Sequence, residues 1–212
     1  MESRSFSLID QFLGEIDKAI KVLSAPPHAS RPMPAAPQSA PLPEADRAES
    51  ARLMRVNHSG EVAAQALYHG QALTARDAAV SAAMRHAAAE EADHLAWCDQ
   101  RLRELNGRTS VLNPLWYAGS FALGALAGTL GRGPSLGFVA ETEKQVESHL
   151  RSHMERLGKA DQRSRALLEQ MTHDEMQHGA QAAQLGGKEL PLAVGAAMRL
   201  TSRLMTYGSY WL

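Results

Sequence analysis

Two copies of one short pattern, Glu91-Ala-Asp-His94 and Glu175-Met-Gln-His178, contain the residue types best suited to chemistry in this chain. In each copy a Glu and a His are three residues apart. On an α-helix this spacing is a rotation of about 300°, which places both side chains on one face. A further Glu stands well upstream of each pair, Glu61 for the first and Glu143 for the second. Together they form the ligand set of a carboxylate-bridged dinuclear metal site inside a four-helix bundle.

The surroundings of both pairs separate them from ordinary polar residues on a helix surface. Apolar side chains flank each Glu-x-x-His pair at helical spacing, so each pair lies in the middle of an apolar stripe. A carboxylate without a partner in such a stripe costs several kcal/mol, and a metal ion supplies the partner. The two stripes comprise Met84, Ala87, Leu95, Cys98, Leu102 and Leu105, and Leu168, Met171, Ala182 and Leu185.

The upstream glutamates are assigned by the same argument. Glu141, Glu143 and Glu147 all lie on one predicted helix, but at about 100° per residue only Glu143 falls well within its apolar stripe. That stripe is formed by Val139, Val146, Leu150 and Leu157. Glu61 takes the matching place on the first long helix, among Leu53, Asn57, Gly60, Ala64, Tyr68 and Gln71.

The charges of this ligand set indicate the kind of metal. Four carboxylates balance two divalent cations if both histidines are neutral, and a neutral cluster is compatible with a bundle core of low dielectric constant. Carboxylate and imidazole ligands with open positions favour iron or manganese over structural zinc.

Four further residues are candidates for supporting roles. Asp174 and Glu90 each precede a ligand Glu, and by the twofold repeat we expect Asp174 to hold His94 and Glu90 to hold the other histidine. A solvated acid is the alternative reading of both. His149 and Tyr68 are candidates for lining a substrate channel. For them the alternatives are a surface or packing role and simple core packing, respectively.

The composition excludes several classes of protein. A single cysteine, Cys98, rules out a disulfide framework, a Cys-rich zinc site and an iron–sulfur cluster. With a net charge of −1 and no run of Lys or Arg, the sequence gives no reason to expect nucleic acid as a partner. We expect neither a secretory signal nor a clear membrane-spanning segment.

The chain divides at a proline-rich segment. Residues 1–24 contain a predicted amphipathic helix (6–23), residues 25–45 a proline-rich linker, and residues 46–212 a helical domain. The helix's apolar stripe, formed by Ile9, Phe12, Ile16, Ile20 and Leu23, must dock on the main body, a neighbouring subunit or a lipid surface. Long helices are predicted at 47–74, 76–106, 135–158 and 160–185, so the fold class is all-α.

Two apolar segments, 111–131 and 190–212, remain outside the four long helices. Aromatic residues at their ends and the cations Arg199 and Arg203 are typical of interfacial helices, although capping of the bundle ends explains each segment equally well. Gly124 and Gly128 are expected to allow close helix approach and do not form a nucleotide-binding loop, because no strand precedes them.

Four local phrases resemble the demethoxyubiquinone hydroxylase family of ubiquinone biosynthesis. They are Arg55-Val-Asn-His-Ser-Gly-Glu61, Ala66-Leu-Tyr-His-Gly-Gln71, Glu90-Glu-Ala-Asp-His-Leu95 and Asp174-Glu-Met-Gln-His-Gly179. The resemblance covers residues 47–212. It implies a ferritin-like fold, a di-iron site and hydroxylation of a polyprenylated demethoxy-benzoquinone or quinol ring with O2. The resemblance further implies that the metal ligands of the family correspond to Glu61, Glu91, His94, Glu143, Glu175 and His178.

The same resemblance implies the cofactors, partners and location. The cofactors are two iron ions per subunit, with O2 as co-substrate and an external reductant, for which NADH acting through the quinone is one candidate. The partners are the polyprenyl quinone, the membrane surface and, as further candidates, other ubiquinone-biosynthesis proteins or a lipid-carrying protein. A homo-oligomer is compatible with the sequence. We expect a peripheral membrane protein on the cytoplasmic side of the bacterial inner membrane.

Other classes of protein that use this ligand set are the alternatives to a hydroxylase. A ferritin-like storage protein or a manganese catalase would use the same six residues, but would need neither apolar segment. A rubrerythrin would require cysteine pairs that a chain with one Cys cannot provide.

Overall fold

The computed structural model describes residues 7–36 and 41–212, without the side chains of Leu8, Gln11 and Phe12. The described part contains helices and no strand, which confirms the all-α prediction. The helices are α1 (Leu8–Ser24), α2 (Glu44–Thr74), α3 (Ala78–Glu104), α4 (Asn113–Thr129), α5 (Arg132–Arg156), α6 (Gln162–Gln184) and α7 (Leu192–Trp211). The domain limits at residues 24 and 45 stay predictions, and residues 1–6 and 37–40 lie outside the described part.

Local signals set the ends of the long helices. Asp77 caps α3 by accepting hydrogen bonds from the backbone N–H of Ala79 and Val80, and Asp161 caps α6 through Ser164. Just after the end of α3, Asn106 adopts a left-handed conformation with φ 54°, as expected from the Asn-Gly pair that follows the helix. The predicted boundaries of the four long helices are therefore within three residues of the observed ones.

Helices α2, α3, α5 and α6 form the four-helix bundle. The hairpins α2–α3 and α5–α6 face each other, with α2 against α5 and α3 against α6. Two apolar clusters fill the bundle, one on each side of the level at which the candidate ligands lie. The first contains Leu53, Met54, Cys98, Leu102, Leu150, Leu168 and Met171, and the second contains Leu67, Tyr68, Met84, Leu136, Val139 and Ala182.

The two apolar helices α4 and α7 pack alongside the bundle against α2, and they do not cap its ends. Glycines explain how close α4 comes. A Cβ on Gly124 would collide with the backbone of Leu67, and one on Gly128 would collide with Thr74 and with the backbone of Gln71. The prediction that these glycines permit close helix approach is confirmed.

Helix α1 docks on α2 and α4 through Ala19, Val22 and Leu23, which pack against a small apolar cluster that includes Tyr117. Of the predicted stripe, Leu23 therefore docks on the protein itself, which is one of the three predicted alternatives. Ile9, Ile16 and Ile20 are exposed, with 71%, 40% and 57% of their surface accessible, and the neighbouring Leu13 is exposed at 56%. Phe12 lies outside the described side chains.

Across residues 7–36 and 41–212, no helix is both long enough and apolar enough to cross a bilayer.

Candidate metal centre

Six side chains from four helices meet at the middle of the bundle. One group of potential ligand atoms comes from Glu61, Glu91, His94 and Glu175, and an overlapping group comes from Glu91, Glu143, Glu175 and His178. Within each group the atoms lie within 4.8 Å of one another, and all six residues are buried. These are the six residues predicted from the sequence, and we refer to them as the six-residue cluster.

Glu91 and Glu175 each face both histidines. Glu91 places Oε2 3.0 Å from His94 Nδ1 and Oε1 3.2 Å from His178 Nδ1. Glu175 places Oε1 3.3 Å from His94 Nδ1 and Oε2 3.3 Å from His178 Nδ1. Each of these carboxylates therefore directs one oxygen to each half of the site, as a bridging ligand between two ions would.

The other two glutamates belong to separate halves. Glu61 Oε2 lies 3.7 Å from His94 Nδ1, whereas Glu143 joins the group that contains His178. One carboxylate oxygen in the cluster, Glu143 Oε1, is buried without a hydrogen-bond partner. An unsatisfied buried carboxylate oxygen is costly, and a divalent cation would satisfy it. The residues thus fit a dinuclear metal ion pair.

In the absence of a metal ion, the neighbours within the cluster shift the pKa values of its members. Burial, reinforced by the neighbouring carboxylates, raises the pKa of Glu61 and of Glu143 well above the ordinary value. Burial alone would lower the pKa of His94 and of His178, but the surrounding carboxylates outweigh it and raise both, that of His178 to about 11. The pKa of Glu91 is lowered, because contacts with the two histidines overcome the effect of burial.

Each histidine turns its other ring nitrogen towards an acid on the opposite hairpin. His94 Nε2 lies 3.0 Å from Asp174 Oδ2, and His178 Nε2 lies 3.0 Å from Glu90 Oε2. With Nε2 donating its proton to the acid, Nδ1 is directed into the cluster, where a metal ion would displace the proton on Nδ1 and bind its lone pair. Both expected pairings of acid and histidine are present in the structure.

Sequence reasoning missed two residues beside the centre, Arg31 and Asp93. Arg31 lies in the proline-rich linker and contacts Asp93 and Asp174 on two different helices. The sequence around Asp93 does indicate that this acid has a distant partner. It is an acid in an alanine-rich helix, and no Lys or Arg stands three or four residues away from it. The position of Arg31 carried no such signal, because it depends on how the linker crosses the bundle.

The two channel candidates occupy different environments. Tyr68 is fully buried in the second apolar cluster, and its hydroxyl has no hydrogen-bond partner among the described residues. The His149 ring contacts the His153 ring, with centroids 3.9 Å apart and planes tilted by 60°, and His149 borders a cleft of about 480 Å³ between α5 and α7. Burial lowers the pKa of His149 to about 4, so its ring is neutral. A channel role for either residue stays a prediction.

The residues of this centre lie within a segment that matches a known protein family. The sequence matches the family described as "Ubiquinone biosynthesis protein COQ7" over residues 48–209, a span that contains the whole six-residue cluster. The chain belongs to this family. The family resemblance inferred from the four local phrases is therefore confirmed.

Curated relatives extend over nearly the whole chain. A 3-demethoxyubiquinol 3-hydroxylase of Ralstonia pickettii is 54% identical, covering 96% of this chain and 99% of that protein. Proteins of the same name from Bordetella petrii and Variovorax paradoxus are 53% and 57% identical, covering 99% and 94% of this chain and 94% and 96% of theirs. The prediction of a hydroxylating enzyme in ubiquinone biosynthesis is confirmed at the level of this family.

Proposed function

We propose that this protein hydroxylates the ring of a polyprenylated demethoxy-quinol, using O2 at a pair of iron ions held by the six-residue cluster. The observation that carries the proposal is the pair of carboxylates, Glu91 and Glu175, that each face both histidines. The names of the relatives supply the substrate class. They favour a hydroxylase over the storage protein and the manganese catalase that would use the same ligands.

The overall reaction fixes what the site must handle. A ring C–H bond and O2, with two electrons and two protons, give a ring C–OH bond and water. The reduced iron pair supplies two electrons and open positions at which O2 can react. The chain has no nucleotide-binding motif, so the reductant that restores the electrons comes from outside or is the quinol itself.

The protein's own residues hold the ions and keep water away. Glu61 and His94 would hold one ion, Glu143 and His178 the other, and Glu91 and Glu175 would span both. The acids behind the histidines fix the two imidazole rings, so little reorganisation is needed during turnover. The apolar clusters above and below the centre limit the access of water.

The substrate's hydrocarbon tail requires an apolar route, and α4 and α7 offer the surface for it. Both helices contact α2, which carries Glu61, and both expose large apolar side chains. The exposed residues are Leu115, Leu123 and Leu126 on α4, Leu130 directly after α4, and Leu192, Leu200, Leu204, Tyr207 and Trp211 on α7. A concentration of exposed large apolar side chains on two helices indicates an interaction site.

We infer that this surface rests on a membrane. Arg199 and Arg203 directly precede the exposed Leu200 and Leu204 on α7, where they would contact anionic headgroups. The exposed stripe of α1 would add to the same attachment. The protein would then be peripheral, bound at the cytoplasmic face of the inner membrane, and would take its substrate from the bilayer or from a lipid-carrying partner.

The decisive test of the function is a product assay with isotopically labelled O2. Protein loaded with Fe(II) should convert a short-chain demethoxy-quinol into the hydroxylated product, with one labelled oxygen atom per product molecule. Glu175→Ala should abolish this conversion, while Glu169→Ala, an exposed acid on the same helix, should not. A product oxygen derived from water, or O2 release from peroxide without quinol, would contradict the proposal.

A further inference from the structure

A cation from the linker between α1 and α2 lies beside the candidate metal centre. Arg31 Nε donates to Asp93 Oδ2 at 2.6 Å, and its Nη1 donates to Asp174 Oδ2 at 2.9 Å. Asp93 belongs to α3 and Asp174 to α6. The single guanidinium therefore joins the linker to one helix from each hairpin of the bundle.

Several contacts fix the position of Arg31. Its Cζ lies 4.9 Å from the centroid of the Trp97 ring, and Trp97 Nε1 donates to the Arg31 carbonyl oxygen at 3.2 Å. The preceding residue, Ser30, donates to Asp93 Oδ1 from its backbone N–H at 2.6 Å and from its hydroxyl at 3.0 Å. A planar guanidinium held by a stacking ring and two acids is better ordered than an isolated surface ion pair.

The same contact reaches a candidate metal ligand. Asp174 Oδ2 accepts from Arg31 and also lies 3.0 Å from His94 Nε2, while its Oδ1 accepts from Gln170 at 2.8 Å. Both oxygens of Asp174 are therefore engaged. An acid fixed in this way holds the His94 ring with its Nδ1 directed at Glu91.

The other half of the centre has a looser arrangement. The side chain of Glu90, which accepts from His178, is 37% exposed, compared with 9% for Asp174. Within the described residues its nearest ionisable partner besides His178 is His86, at 3.6 Å, and no Arg or Lys is paired with it. A surface cleft of about 390 Å³ is bordered by Glu90 and His178 and also by Arg31 and Asp174, so the difference between the halves lies in the ion pairs and not in this cleft. The two halves share the same ligand types but differ in the support behind the histidine.

We propose that Arg31 is a positioning residue for the metal centre. By fixing Asp174 it orients His94, so that the ion held by His94 binds more tightly than the ion held by His178. This inference rests on the proposed metal centre. It assigns a role at the site to a residue outside the four-helix bundle, and it predicts two ions of unequal affinity.

Removing Arg31 has a defined physical consequence. Without the guanidinium, Asp93 and Asp174 would lack the positive charge that now lies between them, and repulsion would turn Asp174 away from His94. Loss of such outer contacts lowers metal affinity by roughly 10–100-fold in known sites. The effect should be confined to the ion at His94, because Glu90 and not Arg31 supports His178.

The test is a titration of the metal-free protein with Co(II), followed by absorption and by calorimetry. The wild-type protein should bind two ions in two phases of different affinity. Arg31→Gln should weaken the tighter phase by about 10–100-fold and leave the weaker phase unchanged. The matched control is Arg132→Gln, which removes an exposed contact with Asp77 and should leave both phases as they are.

Three results would overturn the inference in distinguishable ways. If wild-type protein binds no Co(II), the proposed metal centre fails together with this inference. If Arg31→Gln lowers only the unfolding temperature and leaves both phases intact, Arg31 merely fastens the linker. Should this variant not accumulate as folded protein, Arg31→Lys is a milder substitution, since one ammonium cannot reproduce the two-armed contact. An unchanged tight phase in Arg31→Lys would also contradict the inference.

Discussion

Asp174 and His94 form a hydrogen bond of 3.0 Å across the interface between α3 and α6. The hydrogen bond of the equivalent pair in the other half, Glu90 and His178, has the same length. In both pairs the acid immediately precedes a glutamate of the six-residue cluster in the sequence. The repeated pattern therefore places a glutamate of the cluster and, one residue earlier, an acid that contacts the histidine of the opposite half.

Removing the acid behind His94 should weaken metal binding. Asp174→Ala leaves the imidazole free to rotate and removes the acceptor that keeps the proton on Nε2. We expect about 10–100-fold lower affinity for Fe(II) or Co(II), measured by titration of the metal-free protein. Glu169→Ala, an exposed acid five residues earlier on α6, is the control and should bind normally. Equal affinities for the two variants would show that Asp174 does not support the ligand.

Metal binding should release protons. The pKa values of Glu61, Glu143, His94 and His178 are all raised in the metal-free protein, which favours the protonated form of each group. Two divalent cations must displace these protons. Protons compete with the metal, so the apparent affinity should rise as the pH increases from about 6 to 8. Calorimetry in buffers of different ionisation enthalpy measures the release. Binding without proton release would contradict this description of the metal-free cluster.

The close packing of α4 on α2 should be sensitive to one methyl group. A Cβ on Gly124 would collide with the Leu67 backbone, so Gly124→Ala should destabilise the protein by about 1–3 kcal/mol. Gly119, on the same helix, has open space around its missing Cβ. Gly119→Ala should be neutral or stabilising by up to about 1 kcal/mol, because alanine favours helix. Urea unfolding of both variants tests this contrast, and similar losses for the two would show that α4 does not pack as described.

Membrane attachment should depend on the outer faces of α4 and α7. Leu126→Asp and Leu204→Asp each replace an apolar side chain that is about three-fifths exposed (61% and 62%). Burying one apolar side chain of this size in the membrane contributes about 1.5–3 kcal/mol to the binding free energy. Its loss should therefore lower binding to anionic liposomes roughly 10–100-fold. Trp116 is less suitable, because it is half-buried and donates to Ser209 Oγ. Ala82→Asp, on the exposed side of α3, is the control. Unchanged flotation of both leucine variants would exclude this surface.

The sequence was sufficient to predict the bundle and the six-residue cluster, because both depend on helical periodicity. Glu143 was separated from Glu141 and Glu147 by its angle on the helix alone, and the structure has Glu143 buried while Glu147 pairs with Arg151 at the surface. The acids behind the histidines could be predicted from the repeat.

Contacts between distant segments could not be predicted in this way. Arg31 meets Asp174 across 143 positions of sequence, and no periodic pattern reports such an approach. The same holds for the packing of α4 and α7 along α2 and for the exposed stripe of α1. An amphipathic pattern shows that a helix has an apolar face, but it does not identify what covers that face.

The bridging of two ions by Glu91 and Glu175 is the central claim, and the Mössbauer spectrum of iron-loaded protein tests it most directly. We expect two iron atoms per chain and, after oxidation, a spin-coupled pair with a diamagnetic ground state. His178→Ala should lower the iron content and remove the coupled signal. One isolated paramagnetic ferric ion per chain in the wild-type protein would contradict the account.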